Sequence, residues 1–196
     1  MNMKKILPLL FLFLSLTAFA QRHYPKELLE FIERNPIYHV ERTFIGKSDG
    51  LELYTAIFVA RYGEALGFVG FAMSEVGTVT RPGIWWGYDT EEIEMRHMEY
   101  LFNDWEIPMV QEYLTWIQVN WIQAITGEYV LAIPDGLTLS VDQDSYLPLD
   151  NDEDDLIARY RGHKAVWAEG FDKRNLRKLQ DMFDKALSVL HERLEQ

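Results

Sequence analysis

Six aspartates stand close together in the last third of the chain: Asp142, Asp144, Asp150, Asp152, Asp154 and Asp155. Oxygen ligands alternating along a loop are what calcium requires, and Asp150, Asp152 and Asp154 alternate. Alignment with a helix-loop-helix calcium site nevertheless breaks twice. Asp155 stands where that loop needs a glycine, and Arg161 stands where it needs a closing bidentate acid. The spacing therefore reads as a solvated acidic loop, with a looser calcium site as the alternative. Glu94 and His97 have the separation at which one helix face offers a carboxylate and an imidazole to a shared metal. Carboxylate-bridged di-iron bundles use two such pairs, and here the pair occurs once.

Gly46-Lys47-Ser48-Asp49-Gly50 has the Gly-x-Ser-x-Gly spacing of a hydrolase nucleophile elbow. That chemistry needs a strand-turn-helix, so that the serine sits exposed on a strained turn. Leu51 to Tyr62 is rich in β-branched and aromatic residues and reads as a strand, which makes the segment a hairpin turn. No phosphate-binding glycine loop, dinucleotide fingerprint or His-Glu-x-x-His is present. The sequence thus assigns no catalytic residue, no metal ligand and no cofactor. Trp85 and Trp86, in a loop between Gly83 and Gly87, are candidate anchors for a partner or a glycan, because loop aromatics carry a disproportionate share of binding energy. Trp105, Trp116, Trp121 and Trp167 read as core.

Charge supplies the strongest bias. The 62 residues from His97 to Ala158 contain thirteen acids and no lysine or arginine. A field of one sign suits a partner of the other sign, and it repels nucleic acid and anionic lipid. With no cysteine in the chain, disulfides, thiol catalysis and cysteine metal sites are excluded.

These residues need elements to place them. Pro25 to Asn35 reads as a short helix stopped by Pro36. Tyr38 to Phe44, Leu51 to Tyr62 and Ala65 to Met73 read as three sequential strands, an antiparallel meander. Ser74 to Tyr88 reads as a structured loop with a short strand at Val76 to Thr80. A helix capped by Asp89 or Thr90 is expected to carry Ile93, His97, Tyr100 and Leu101. A second helix from about Pro108 to Thr126 is apolar on nearly every side and is expected to be central and buried. Glu128 to Ile133 and Leu137 to Val141 read as a hairpin about Pro134-Asp135-Gly136. Leu156 to Trp167 has no clear period. Lys173 to Glu195 is an amphipathic helix with Leu176, Leu179, Phe183, Leu187, Leu190 and Leu194 on one face. The expected fold is one α+β domain: a meander of about three to five strands against a buried central helix and a C-terminal amphipathic helix.

The first twenty residues carry Lys4 and Lys5, an apolar run from Ile6 to Phe19 and the triplet Ala18-Phe19-Ala20, the three parts of a cleavable export signal. Cleavage after Ala20 leaves residues 21–196 as the domain and takes the formal charge from −12 to −14. No later segment is long and apolar enough to be an integral membrane span. An aromatic content of 14% excludes a disordered chain. Together these features point to a periplasmic or secreted, non-enzymatic binding protein. Its acidic face, about residues 97–155, would engage a basic protein through Trp85, Trp86, Asp142, Asp144, Asp150, Asp152, Asp154 and Asp155, as an inhibitor or immunity-type protein does. The alternatives are a small exported hydrolase, acting on glycans through paired carboxylates, and a calcium-stabilised structural protein.

Overall fold

A computed structural model describes residues 20–82, 88–125, 129–143, 154–168 and 173–195. The expected leader up to Phe19, both Trp85 and Trp86, and Asp144, Asp150 and Asp152 lie outside the described residues. The described chain runs β1 (Ala20–His23), α1 (Lys26–Arg34), β2 (Ile37–Ser48), β3 (Leu51–Ala60), β4 (Ala65–Pro82), β5 (Tyr88–Leu101), α2 (Glu106–Val119), α3 (Trp121–Ile125), β6 (Leu131–Ala132), β7 (Thr138–Gln143), β8 (Asp154–Tyr160), β9 (His163–Ala168) and α4 (Lys173–Leu194). It is an α+β fold with two sheets, ordered β1-β5-β4-β3-β2 and β6-β7-β8-β9. The meander β2-β3-β4 is antiparallel as its turns require, and β5 extends it. Only β1 enters in parallel, pairing Ala20 to His23 with His97 to Tyr100 of β5.

Alternation along β3 sets the layers. Leu51, Leu53 and Ile57 face a core shared with α2, the second sheet and α4, where Phe71, Met98, Tyr100, Trp167 and Phe183 are buried. Tyr54, Ala56 and Phe58 face the opposite side, where Leu28 of α1 covers them. Trp167 is fully buried and meets Phe71 edge-on at 5.0 Å between ring centres. The two sheets are also joined through backbone: Gly50 N–H donates to Val166 O at 2.9 Å, and a Cβ at Gly50 would lie 2.8 Å from that oxygen. Glycine is required there by the close approach. Ser48 before it is 2% exposed, so the Gly-x-Ser-x-Gly segment is a hairpin turn with a buried serine.

Three expectations are corrected. Residues 89–103 do not form a helix: β5 runs from Tyr88 to Leu101, so the helical spacing that would pair Glu94 with His97 does not apply. Helix-forming Glu, Met and Arg lose here to pairing with β4 and β1, since local preference is weaker than sheet context. Met98 and Tyr100 are buried while Glu99 faces the other side, the period of two that a strand imposes. Ser74 to Pro82, expected as a loop with a short strand at Val76 to Thr80, is strand throughout and continues β4. Among the described residues, this stretch and Tyr88 to Arg96 pair only with each other, a ribbon joined by the connection that carries Trp85 and Trp86.

The helix expected from Pro108 is broken at Asn120, whose backbone N–H and side-chain amide both donate to Trp116 O, at 2.8 and 3.0 Å. It is buried on one face only. Ile107, Val110, Leu114 and Ile117 are in the core, whereas Val119 is 79% exposed and Trp105 just before the helix is 47% exposed. Residues 154–168, which have no clear period in the sequence, form the hairpin β8-β9.

Candidate functional site

The acidic region is divided by the fold. Glu99 sits on the outer face of the first sheet, bound by Arg22 Nε at 3.0 Å and by both amino groups of Arg42 at 2.7 and 3.2 Å. Glu106 is fully buried, and Asp135 lies beside His23. These three acids serve the fold's own polar contacts. Of the aspartates named from the sequence, the three in described strands, Asp142, Asp154 and Asp155, lie elsewhere, at one end of the second sheet. Asp142 of β7 stands directly opposite Asp155 of β8, and Asp154 stands opposite Gln143.

A closed cluster forms where β1, β5, β8 and the start of α2 meet. His23 stacks on Tyr100 with ring centres 4.2 Å apart and planes at 16°. Its Nδ1 is 3.0 Å from the Tyr160 hydroxyl, and its Nε2 is 3.5 Å from Asp135 Oδ2 without a hydrogen bond. The Tyr100 hydroxyl donates to Glu106 Oε1 at 2.9 Å, and Asn103 N–H donates to Glu106 Oε2 at 2.7 Å. Glu106 N–H returns a bond to Asn103 O, so the acid closes the start of α2 in the manner of a capping box. The Asn103 amide donates to Asp135 Oδ2 at 3.0 Å.

Burial decides the electrostatics of this cluster. It pushes the His23 pKa below its ordinary value, against the Asp135 charge, which pulls it up, and with Arg161, which lowers it. Burial raises the Glu106 carboxyl above the usual range, while the bonds from Asn103 and Tyr100 hold it down. Tyr100 and Tyr160 are both raised by burial. A proton can be shared within each pair, Tyr160 with His23 and Tyr100 with Glu106, while the two pairs meet only through the stacked rings of His23 and Tyr100. Tyr100, Tyr160 and Glu106 are no more than 1% exposed, which closes their oxygens to a substrate, and Asp135 is the exposed edge of the cluster.

An open arrangement lies further along α2. Met109, Glu112, Tyr113 and Trp116 of the helix, with Tyr129 and Leu131 beyond it, line a pocket of about 280 Å³. Tyr113 is buried as its floor, and its hydroxyl donates to Tyr129 O at 3.1 Å, which fixes the chain that carries the third ring. Trp116 and Tyr129 meet at 4.8 Å and 58°, and Tyr113 lies nearly parallel to Trp116 at 6.3 Å. Glu112 is exposed and has no hydrogen-bond or ion-pair partner among the described residues.

A second groove lies along α4. Arg174, Arg177, Lys178 and Lys185 flank a groove of about 510 Å³ against Ile45 of β2. The sequence does not reveal His23, Tyr160 or Tyr129 as members of either arrangement, because their partners are remote in the chain. Glu112, Tyr113 and Trp116, close together on one helix, are the legible part of the pocket. Among the described residues no group of three or more His, Asp or Glu is placed to hold a metal ion, and no helix is long and apolar enough to cross a membrane. Comparison with known protein families, characterised proteins and solved structures finds no match to this chain.

Proposed function

We propose that this chain is an exported, non-enzymatic binding protein whose acidic region, within residues 97–155, engages a basic protein, in the manner of an inhibitor or immunity-type protein. One observation carries the reading: Asp142 and Asp155 are register partners across β7 and β8, with Asp154 next in the chain, which gathers three acidic positions at one end of the second sheet. A field of one sign at one place on the fold favours a partner of the other sign. A hydrolase reading is less well supported, because glycoside chemistry needs two carboxylates about 5 to 9 Å apart facing one open cleft. Glu106 is fully buried and already bonded to Tyr100 and Asn103.

The test replaces Asp142, Asp154 and Asp155 by lysine and compares association kinetics with the partner that wild-type protein captures from its own exported fraction. Charge at a rim acts mainly on the encounter rate. The reversed protein is expected to associate roughly tenfold or more slowly at low salt, the difference shrinking as salt screens charges beyond about 8 Å. Equal rates for both proteins, or capture only of a second copy through the cations of α4, would overturn the reading.

A further inference from the structure

We infer that the pocket formed by Tyr113, Trp116 and Tyr129, with Glu112 at its rim, is a receptor for one arginine side chain of the basic partner. The inference rests on the reading of this chain as a binder of a basic protein, and it assigns the contact that would anchor such a partner.

Four features of the pocket favour this occupant. Its volume, about 280 Å³, falls below the range of roughly 300 to 1,000 Å³ usual for cofactor and drug-sized ligands, so it suits a single side chain. Three of its six lining residues are aromatic, and Trp116 and Tyr129 touch with ring centres 4.8 Å apart and planes at 58°, so they form one continuous aromatic wall. Ring faces are negative, and they attract a cation held within about 6 Å of the centre. The rings are also fixed before any guest arrives, by the bond from the Tyr113 hydroxyl to Tyr129 O and by the seating of Trp116 against the core. Preorganisation of this kind lowers the ordering cost of binding. Finally, Glu112 is a carboxylate without a partner among the described residues, on a stretch from His97 to Ala158 that has no lysine or arginine of its own to occupy the site.

A planar guanidinium fits this combination better than an ammonium. It stacks flat on a ring, sheds its water more readily and offers two parallel N–H donors to one carboxylate. A neutral or anionic guest would leave Glu112 either unused or opposed.

The experiment follows the Trp116 indole N–H resonance of the full chain while N-acetyl-arginine amide is added, with N-acetyl-lysine amide and the uncharged isostere N-acetyl-citrulline amide as parallel probes. Arginine amide is expected to give a saturable shift in the millimolar range, lysine amide a several-fold weaker one and citrulline amide none. Glu112→Gln and Tyr129→Ala should each weaken arginine binding roughly three- to tenfold. Tyr129 is 43% exposed, so its loss is expected to leave the fold intact, which an unchanged melting temperature confirms. No saturable shift with arginine amide, or equal binding of citrulline amide, overturns the assignment. Neither result touches the charge-reversal test at Asp142, Asp154 and Asp155, so failure of the pocket and failure of the acidic-face reading are told apart.

Discussion

Helix α2 carries two glutamates with opposite fates, six residues apart. Glu106 is fully buried, accepts bonds from Tyr100 and Asn103, and belongs to a cluster in which ring and carboxylate have consumed one another. Glu112 is exposed, has no partner among the described residues, and stands at the rim of three aromatic rings. Residue chemistry is the same in both places: tyrosines, an acid and an aromatic stack. What differs is whether the chain itself supplies the complement. Where β1 delivers His23 and the turn before β7 delivers Asp135, the polar groups close on themselves and hold the fold. Where no such element arrives among the described residues, the arrangement stays open.

The largest effect expected from this contrast is at Glu106. Glu106→Leu orphans the Tyr100 hydroxyl and the Asn103 N–H, at about 1 to 3 kcal/mol each. A loss of roughly 3 kcal/mol should lower the melting temperature by about 6 to 12 °C in a domain of this size. Calorimetry checks it, and a change within 2 °C would show that the closed cluster contributes little. His23→Ala comes next. It removes the ring stacked on Tyr100 and the bond to Tyr160, and should cost about 2 kcal/mol in denaturant unfolding.

A smaller effect concerns pH. Burial lowers the His23 pKa in the fold, so below the unfolded value near 6.5 the unfolded chain binds a proton that the folded one does not. Stability should therefore fall as pH drops through 6.5, by at most about 1.4 kcal/mol per unit from this residue, and His23→Gln should flatten that limb. Glu106 acts in the opposite sense. Its raised carboxyl keeps a proton that the unfolded chain has already released, so its contribution is lost as pH rises above 4.5 toward the folded value. The smallest effect is expected from chelation. Treatment with a strong calcium chelator should leave the melting temperature unchanged, and a drop restored by calcium would move a calcium-stabilised fold to first place.

Much of the frame is legible in the sequence. The β2-β3-β4 meander, the turn at Asp49-Gly50 and α4 follow from turn residues and apolar period, signals that act over a few residues. β5 is misleading because Glu91, Glu92, Glu94, Met95 and Arg96 favour a helix, and the template that overrides them, the outer half of β4, is a strand whose extent is itself not legible locally. The acidic bias is visible as composition, but its division is not. Nothing local distinguishes Glu106, sealed by a tyrosine six residues earlier, from Glu112, left open beside Trp116. Nor does any local signal place His23 against Tyr160, which is 137 residues away.

The central claim is that α2 separates a carboxylate for the fold from a carboxylate for a partner. It is tested most directly by making the same change, glutamate to glutamine, at each position and measuring both melting temperature and arginine-amide affinity. Glu106→Gln keeps an amide oxygen for the Asn103 N–H but turns an amide donor toward the Tyr100 hydroxyl, which loses its acceptor, and should lower the melting temperature by several degrees, with arginine binding unchanged. Glu112→Gln should leave the melting temperature within about 1 to 2 °C, as exposed substitutions do, and should weaken arginine binding. If both variants lose stability alike, or if neither alters arginine binding, the two acids have one role and the account is contradicted.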